Sequence, residues 1–364
     1  MRRRDLLQLA GGLGLAATMA AGRTVQAQTG PVPAARPQGD RLTTIDWQRF
    51  AARFILPEGR VSDSGNGGIS HSEGQGYSML LAVAADDRAR FDSLWNWTRT
   101  NLLVRDDGLT AWKWVPGKGV TDINNATDGD ILIAWALLRA ADLWSGAEHR
   151  EAALALLQAI RRIAVVEHGG MTLLLPGVAG FRQGTGIVVN PSYWIFPALA
   201  AFAAAEPDPA AKEVWARVVE GGLILIAKAR FGQVQLPPDW VRVEANGGTA
   251  LPDGFKHQFG YDAIRVPLYL AWGGYRDPYY FRPYAAFAAR FGDGPIPATI
   301  SLPGGTTAKV QASVGMLAVH RLASRIAATG GTVTVPPPGE KEDYYSTVLT
   351  LLVQVTERSL GLVP

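Results

Sequence analysis

Residues 124–144 read NNATDGDILIAWALLRAADLW. From Asp130 to Leu143 apolar side chains recur at i, i+3 and i+4, the spacing of one helical face. Thr127, Asp128 and Asp130 crowd its start, where unpaired N–H groups and the helix dipole favour negative charge. The stretch predicts a long amphipathic helix with carboxylates at its mouth. The same signature returns at 77–85, 88–102, 149–165, 191–205, 210–229, 262–272, 278–289, 309–327 and 343–356. Between these runs lie loops rich in Gly, Pro, Asn and Asp, with short strands expected only at 172–175 and 233–235. No strand and helix alternation announces a parallel sheet, so the fold class is all-α. A bundle, a solenoid and a toroid of helical hairpins all fit, and the absence of a fixed-period repeat weakens the solenoid.

At the N-terminus, consecutive arginines, a mildly apolar Leu/Ala/Gly run and small residues around Ala27 form the layout of an export signal at 1–27. The order Arg3-Arg4-Asp5-Leu6-Leu7 is twin-arginine-like, and Val25-Gln26-Ala27 offers a cleavage point. The run is interrupted by Gln8 and glycines, which disfavours a retained anchor, and no later segment reads as membrane-spanning. Residues 28–43 read as a disordered spacer and 44–364 as one large domain, placed in the periplasm or outside the cell.

The whole chain carries 35 Lys+Arg and 32 Asp+Glu; removing Arg2, Arg3, Arg4, Arg23 and Asp5 with the signal leaves 31 of each. That balance removes the attraction on which nucleic-acid or anionic-membrane binding rests, and favours a neutral polymer as partner. There is no cysteine, so disulfides, thiolate metal sites and a cysteine nucleophile are excluded. The five histidines are scattered without metal-ligand spacing, and no GxSxG elbow or phosphate-binding loop is present. No metal or other cofactor is called for, and acid/base chemistry by carboxylates remains.

Three carboxylate-bearing stretches stand out. In HSEGQGYSM, Glu73 follows Ser72, a good N-cap, between glycines that let a ligand approach. Asp128 and Asp130 open the 124–144 stretch; Asp130 alone reads as structural. In FGYDAIRVPLYLAW, Asp262 precedes Arg265 by three positions, the spacing of a helical ion pair. Aromatic rings beside polar groups, at Trp112-Lys113-Trp114, Asn190-Pro191-Ser192-Tyr193-Trp194 and Pro237-Pro238-Asp239-Trp240, suit the apolar faces of sugar rings. His71 is expected near the rim of such a cleft.

Taken in order, SEGQGY, ATDGD, NPSYW, PPDWV and GYDAIRVPLYLAW resemble the bacterial family-8 glycoside hydrolases, particularly endoglucanases associated with cellulose-synthesis systems. The resemblance runs from about Trp47 to about Leu352. It implies an (α/α)6 toroid of six inner and six outer helices with a substrate groove formed by loops at one end, and endo-acting, inverting hydrolysis of a β-1,4-glucan. By position it implies Glu73 as proton donor, Asp262 as the base that activates water, and Asp128 as the carboxylate holding and distorting the sugar. Tyr193 and Arg265 would support the water, base or sugar, and Trp112 and Trp114 would line subsites. Asn124, Asp130, Trp240 and Tyr261 complete the expected substrate-binding set. Ser78 and Gly129 depart from the glycine and alanine common in relatives, without removing a carboxylate. A cellulose synthase complex is a candidate partner. Xylan, chitosan and mixed-linkage glucan are alternative substrates, and a noncatalytic glucan-binding subunit and a polysaccharide lyase are the rival readings.

Overall fold

Caps decide where many of the alanine-rich runs become helices. Side chains of Thr43, His71, Asp87, Asp208, Asp277, Ser313 and Asp343 each accept a first-turn N–H that would otherwise be orphaned. In this computed structural model, which describes residues 41–328, 333–336 and 339–362, the helices are α1 (Thr44–Phe54), α2 (Ser72–Ala84), α3 (Arg88–Asn101), α4 (Thr127–Trp144), α5 (Ala147–Ile163) and α6 (Phe196–Ala205). They continue with α7 (Pro209–Lys228), α8 (Arg265–Trp272), α9 (Pro278–Ala289), α10 (Val314–Ala327) and α11 (Tyr344–Ser359). The expected export signal and nearly all of the expected spacer lie outside the described residues.

Burial sorts these helices into two layers. Every residue of α8 is buried, and nearly every residue of α2 and α4, whereas α1, α5 and α7 bury one face and expose the other. The contacts α2–α4, α4–α6, α6–α8, α8–α10, α10–α11 and α11–α2 close an inner ring. Around it, α3 packs on α2, α5 on α4, α7 on α6, α9 on α10 and α1 on α11. This is the (α/α)6 toroid, with five outer helices among the described residues. Between α10 and α11 no described residue of 328–343 is helical. Helices α10 and α11 run parallel: Gly315 abuts Ser346 near their starts, Arg321 pairs with Glu357, and Arg325 reaches the carbonyl of Leu362 near their ends.

The two ends of the ring are unlike. Inner helices pass to outer ones through the short connections 85–87, 145–146, 206–208 and 273–277. Outer helices pass to the next inner one through the long connections 55–71, 102–126, 164–195, 229–264 and 290–313. Small antiparallel sheets stiffen these loops: Ser70–His71 with Lys113–Val115 and Gly119–Asp122; Arg182–Gln183 with Gly186–Val189, Val241–Val243 and Thr249–Ala250; the hairpin Val165–His168 with Met171–Leu174; and the long-range pair Gln258–Phe259 with Ile300–Ser301. The strand expected at 172–175 is thus present one residue earlier. The one expected at 233–235 is instead a turn between the bridged residues Phe231 and Leu236, with Gln235 at φ 53°, a conformation no strand accommodates.

Glycines let α2 lie close against α4. A Cβ on Gly76 would sit 2.5 Å from Leu132 Cβ, and one on Gly129 would sit 2.6 Å from Ser72 Cβ and 2.8 Å from the Glu73 nitrogen. Gly76→Ala is expected to force the two helices apart and destabilise the fold by about 1–3 kcal/mol, read as a lowered Tm in thermal unfolding.

Candidate active site

All the long loops enter the N-terminal ends of inner helices, and there the carboxylates converge. Glu73 lies in the first turn of α2, Asp128 in the first turn of α4, and Asp262 in the turn preceding α8. Arg265, the first residue of α8, joins them. Its side chain is only 3% exposed. Nη1 contacts Glu73 Oε1 and lies 3.5 Å from Asp128 Oδ2; Nη2 donates to Asp262 Oδ1 at 2.6 Å and to Ser192 Oγ at 2.9 Å. One planar fork thereby orients three carboxylates from three elements, which a point-charge lysine could not do.

A tyrosine layer underlies the fork. Tyr77, one turn after Glu73, donates to Glu73 Oε1 at 3.3 Å and shares a short hydroxyl contact with Tyr269, one turn after Arg265. Arg265 Nη1 also donates to the Tyr77 hydroxyl at 3.2 Å. These i, i+4 partners of the site residues escaped the sequence analysis, although helical spacing alone points to them.

Asp128 does not cap α4. The N-cap position is Ala126, and Asp128 Oδ1 instead accepts the N–H of Gly129 at 2.8 Å, taking up a first-turn donor from inside the helix. Burial drives its carboxyl up to about 7, against the Gly129 N–H, the charge of His71 and the hydroxyl of Tyr193. Asp262 is 31% exposed on its open edge while its inner face is dry. That burial, with the charges of Asp239 and Asp128, raises its carboxyl; the Asn190 amide opposes the rise. The Arg265 guanidinium at 2.6 Å, together with water on the open edge, holds the carboxyl closer to its ionised form than burial alone would.

Asp239, unassigned from the sequence although quoted in its PPDW motif, is the residue that shapes the Asp262 turn. Buried, it accepts the N–H groups of Gly260, Asp262 and Ala263 on Oδ1 at 2.9, 3.2 and 2.8 Å, and the Gln258 amide on Oδ2 at 3.0 Å. Those N–H groups would have no partner within the helix that follows, so Asp239 anchors the turn leading into α8. Asn190 performs a similar service for Ser192, accepting both its N–H and its hydroxyl on Oδ1 at 3.0 and 2.7 Å.

A family description, Glycosyl hydrolases family 8, matches residues 33–359. The chain belongs to that family. Among relatives of this family-8 chain, a probable endoglucanase of Novacetimonas hansenii is 39% identical over 312 residues, covering 85% of this chain and 89% of the relative. An endoglucanase of Cellulomonas uda is 38% identical, with 76% of each chain covered. Among solved structures, endoglucanase Cel10 of Klebsiella pneumoniae superposes with a TM-score of 0.80 at 36% identity, covering 87% of this chain and 99% of that one. The endo-beta-1,4-glucanase CMCax of Acetobacter xylinum gives a TM-score of 0.80 at 37% identity, covering 89% and 98%.

The remaining expected binding residues of the family-8 chain divide into two groups. Tyr193 stands beside the cluster, its hydroxyl bonded to Asp128 and its ring edge-on to Trp240 at 6.2 Å. Trp240 stacks on Phe181 at 5.6 Å with a 12° interplanar angle and leans on Phe255 at 5.0 Å, forming a half-buried aromatic patch. Trp112 is half-buried, its carbonyl accepting the Ser72 N–H at 3.1 Å, next to Glu73. Tyr261 is exposed, and its carbonyl accepts the hydroxyl of Tyr345, a neighbour the sequence did not reveal.

Three residues of the expected binding set are held by partners within the protein. Asp130 is fully buried and faces away from Asp128: Oδ1 accepts the Thr110 N–H and hydroxyl at 2.8 and 2.7 Å, and Oδ2 the Asn125 amide at 3.0 Å. Asn124 spends both ends of its amide on the Ala179 backbone, latching the 102–126 loop to the 164–195 loop. Trp114 packs edge-on against Trp97 at 5.5 Å beneath the Arg60 guanidinium at 5.1 Å, so its ring is engaged within the protein. Likewise Ser72 is not the cap of α2; its hydroxyl is buried without a partner, and His71 caps instead.

Burial lifts both Asp128 and Asp130 from 3.8 to about 7. Between those two values the unfolded chain ionises while the folded one keeps its protons, so their contribution to stability, complete below 3.8, is lost as pH rises toward 7. Asp87 and Asp107 act in the opposite sense nearer the surface: partial burial pushes each carboxyl up, but hydrogen bonds from Trp47 and Arg90 to the first, and from Arg105 and the Leu109 N–H to the second, outweigh it and lower both. The expected net result is a Tm several degrees higher at mildly acidic than at mildly alkaline pH, measured by calorimetry across that range.

Proposed function

We propose that this chain hydrolyses internal β-1,4-glucosidic bonds of cellulose or a related glucan with inversion, Glu73 acting as acid, Asp262 as base and Asp128 as the carboxylate that grips the sugar. The observation that carries this reading is the shared guanidinium of Arg265. Three carboxylates about one cation would leave a net charge of −2 if all ionised, so the cluster retains protons near neutrality and its titrations are coupled. Such a site holds a protonated acid and an ionised base together, which inverting hydrolysis requires.

In the proposed reaction, Glu73 protonates the glycosidic oxygen as the C–O bond breaks. Asp262 takes a proton from water attacking the anomeric carbon on the opposite face. As Glu73 loses its proton, its developing negative charge is met by Arg265 and Tyr77, an interaction stronger in the transition state than before it. Asp128, steadied by Tyr193, holds a hydroxyl of the distorted sugar and balances positive charge at the ring. The Trp240 patch and Trp112 offer flat apolar surfaces to neighbouring sugar rings.

The similarity to endoglucanases at high coverage supports a β-glucan as substrate. The export-type leader supports action in the periplasm or outside the cell, and the resemblance to enzymes of cellulose-synthesis systems supports work beside a synthase complex. Among the described residues no helix is long and apolar enough to cross a membrane. The test is hydrolysis of soluble carboxymethyl cellulose by the mature protein, with viscosity, reducing ends and product anomer followed together. A rapid viscosity fall with α-anomeric product is expected. No cleavage of carboxymethyl cellulose, xylan or chitosan by folded protein that still binds glucan would establish the noncatalytic subunit instead.

A further inference from the structure

His71 is an unusual cap. Serine, threonine, aspartate and asparagine lead at this position, yet α2 begins with an imidazole whose Nδ1 accepts the Gly74 N–H at 3.0 Å. That bond fixes the tautomer: Nδ1 presents its lone pair, so the neutral ring carries its proton on Nε2, 3.3 Å from Asp63 Oδ2. Asp63 is buried and fixed in turn, Oδ1 accepting the Gly65 N–H at 3.0 Å and its backbone paired with Ile69. The ring lies close over the first turn, since a Cβ on Gly74 would meet its Cε1 at 3.1 Å. Its edge abuts Tyr344 at 6.1 Å, and the Tyr344 hydroxyl donates to the Gly74 carbonyl at 2.9 Å. Glu73 lies within this clamp, Oε2 3.8 Å from the same Nδ1.

We infer that the Asp63–His71 pair positions Glu73: Asp63 holds the ring in its Nε2–H form, the free Nδ1 fixes the Gly74 N–H, and the turn so fixed sets the Glu73 carboxyl against Arg265 and Tyr77. An imidazole suits the task because it spans from Asp63 to Gly74, bonding both at once. An aspartate cap would instead put a like charge next to Glu73. The inference rests on the reading of Glu73 as proton donor.

The experiment compares mature His71→Ala, His71→Asn, Asp63→Asn and Glu73→Gln proteins for kcat and KM on carboxymethyl cellulose, well below each Tm. His71→Ala is expected to lower kcat by about tenfold to a hundredfold with KM within about twofold. His71→Asn, whose side-chain oxygen caps the same N–H, restores most of kcat. Asp63→Asn keeps an oxygen for Gly65 but turns a donor toward Nε2, moving the ring proton to Nδ1 and abolishing the cap; its kcat falls with that of His71→Ala. Should His71→Ala fail to fold, Asp63→Asn carries the comparison. Wild-type kcat in His71→Ala or Asp63→Asn, with Glu73→Gln inactive, overturns the inference, as does His71→Asn no better than His71→Ala. Wild-type turnover in Glu73→Gln overturns the underlying reading instead.

Discussion

Replacing Glu73 by Gln is expected to lower kcat on carboxymethyl cellulose by about 10³–10⁴-fold, the upper range for removing a general acid, with little change in Tm or glucan binding. The amide fits the same space and keeps an oxygen for the Tyr77 hydroxyl, but it has no proton to give to a leaving oxygen. It also acquires no charge as the bond breaks, so Arg265 has nothing to stabilise that was not present in the ground state. Asp262→Asn is expected to fall as far by the opposite route, since an amide cannot take a proton from water. Steady-state kinetics on the purified, folded variants decide both, and near-normal turnover in either would refute that residue's role.

Arg265→Met is the second large effect. Removing one partner from a buried ion pair costs roughly 3–5 kcal/mol, and here three carboxylates lose their shared cation at once. Part of that cost is relieved by proton uptake, because without the guanidinium each carboxyl shifts upward. Asp262 then holds its proton near neutrality and cannot act as base, so residual kcat is displaced toward alkaline pH while Tm falls. Arg265→Lys keeps the charge but reaches one partner at a time and is expected to fall between. A pH profile of kcat unchanged from wild type, in a variant of normal Tm, would contradict this account.

Local periodicity makes the helices legible, and motif order makes the cluster legible, for different reasons. The run 278–289 reads to its observed ends because Asp277 and Pro278 are unambiguous start signals. Helix α2 starts five residues before the periodicity at Tyr77, because Gly74 and Gly76 look like turn residues yet serve as contact points against His71, Tyr344 and Leu132. Asp128 and Asp130 cannot be told apart by composition. Two residues apart on a helix they point to nearly opposite sides, one to Arg265 and one to Thr110 and Asn125, and only the packed ring says which is which. The latch of Asn124, the service of Asp239 and the parallel course of α10 and α11 all depend on loops or return paths meeting in space, for which a single sequence has no local signal.

The unequal ends of the ring bear on how such a protein changes over generations. Connections of the length of 85–87 or 145–146 leave no slack, so insertions there would shear one hairpin from the next. The connections 102–126, 164–195 and 229–264 are already long, and doubling a long flexible loop costs only about 0.6 kcal/mol in closure entropy. Heritable variation in length is therefore tolerated at the end that carries the carboxylate cluster, and screened out at the other. New polymer preferences can arise by lengthening or trimming the cleft walls, with the helical barrel passed on unaltered.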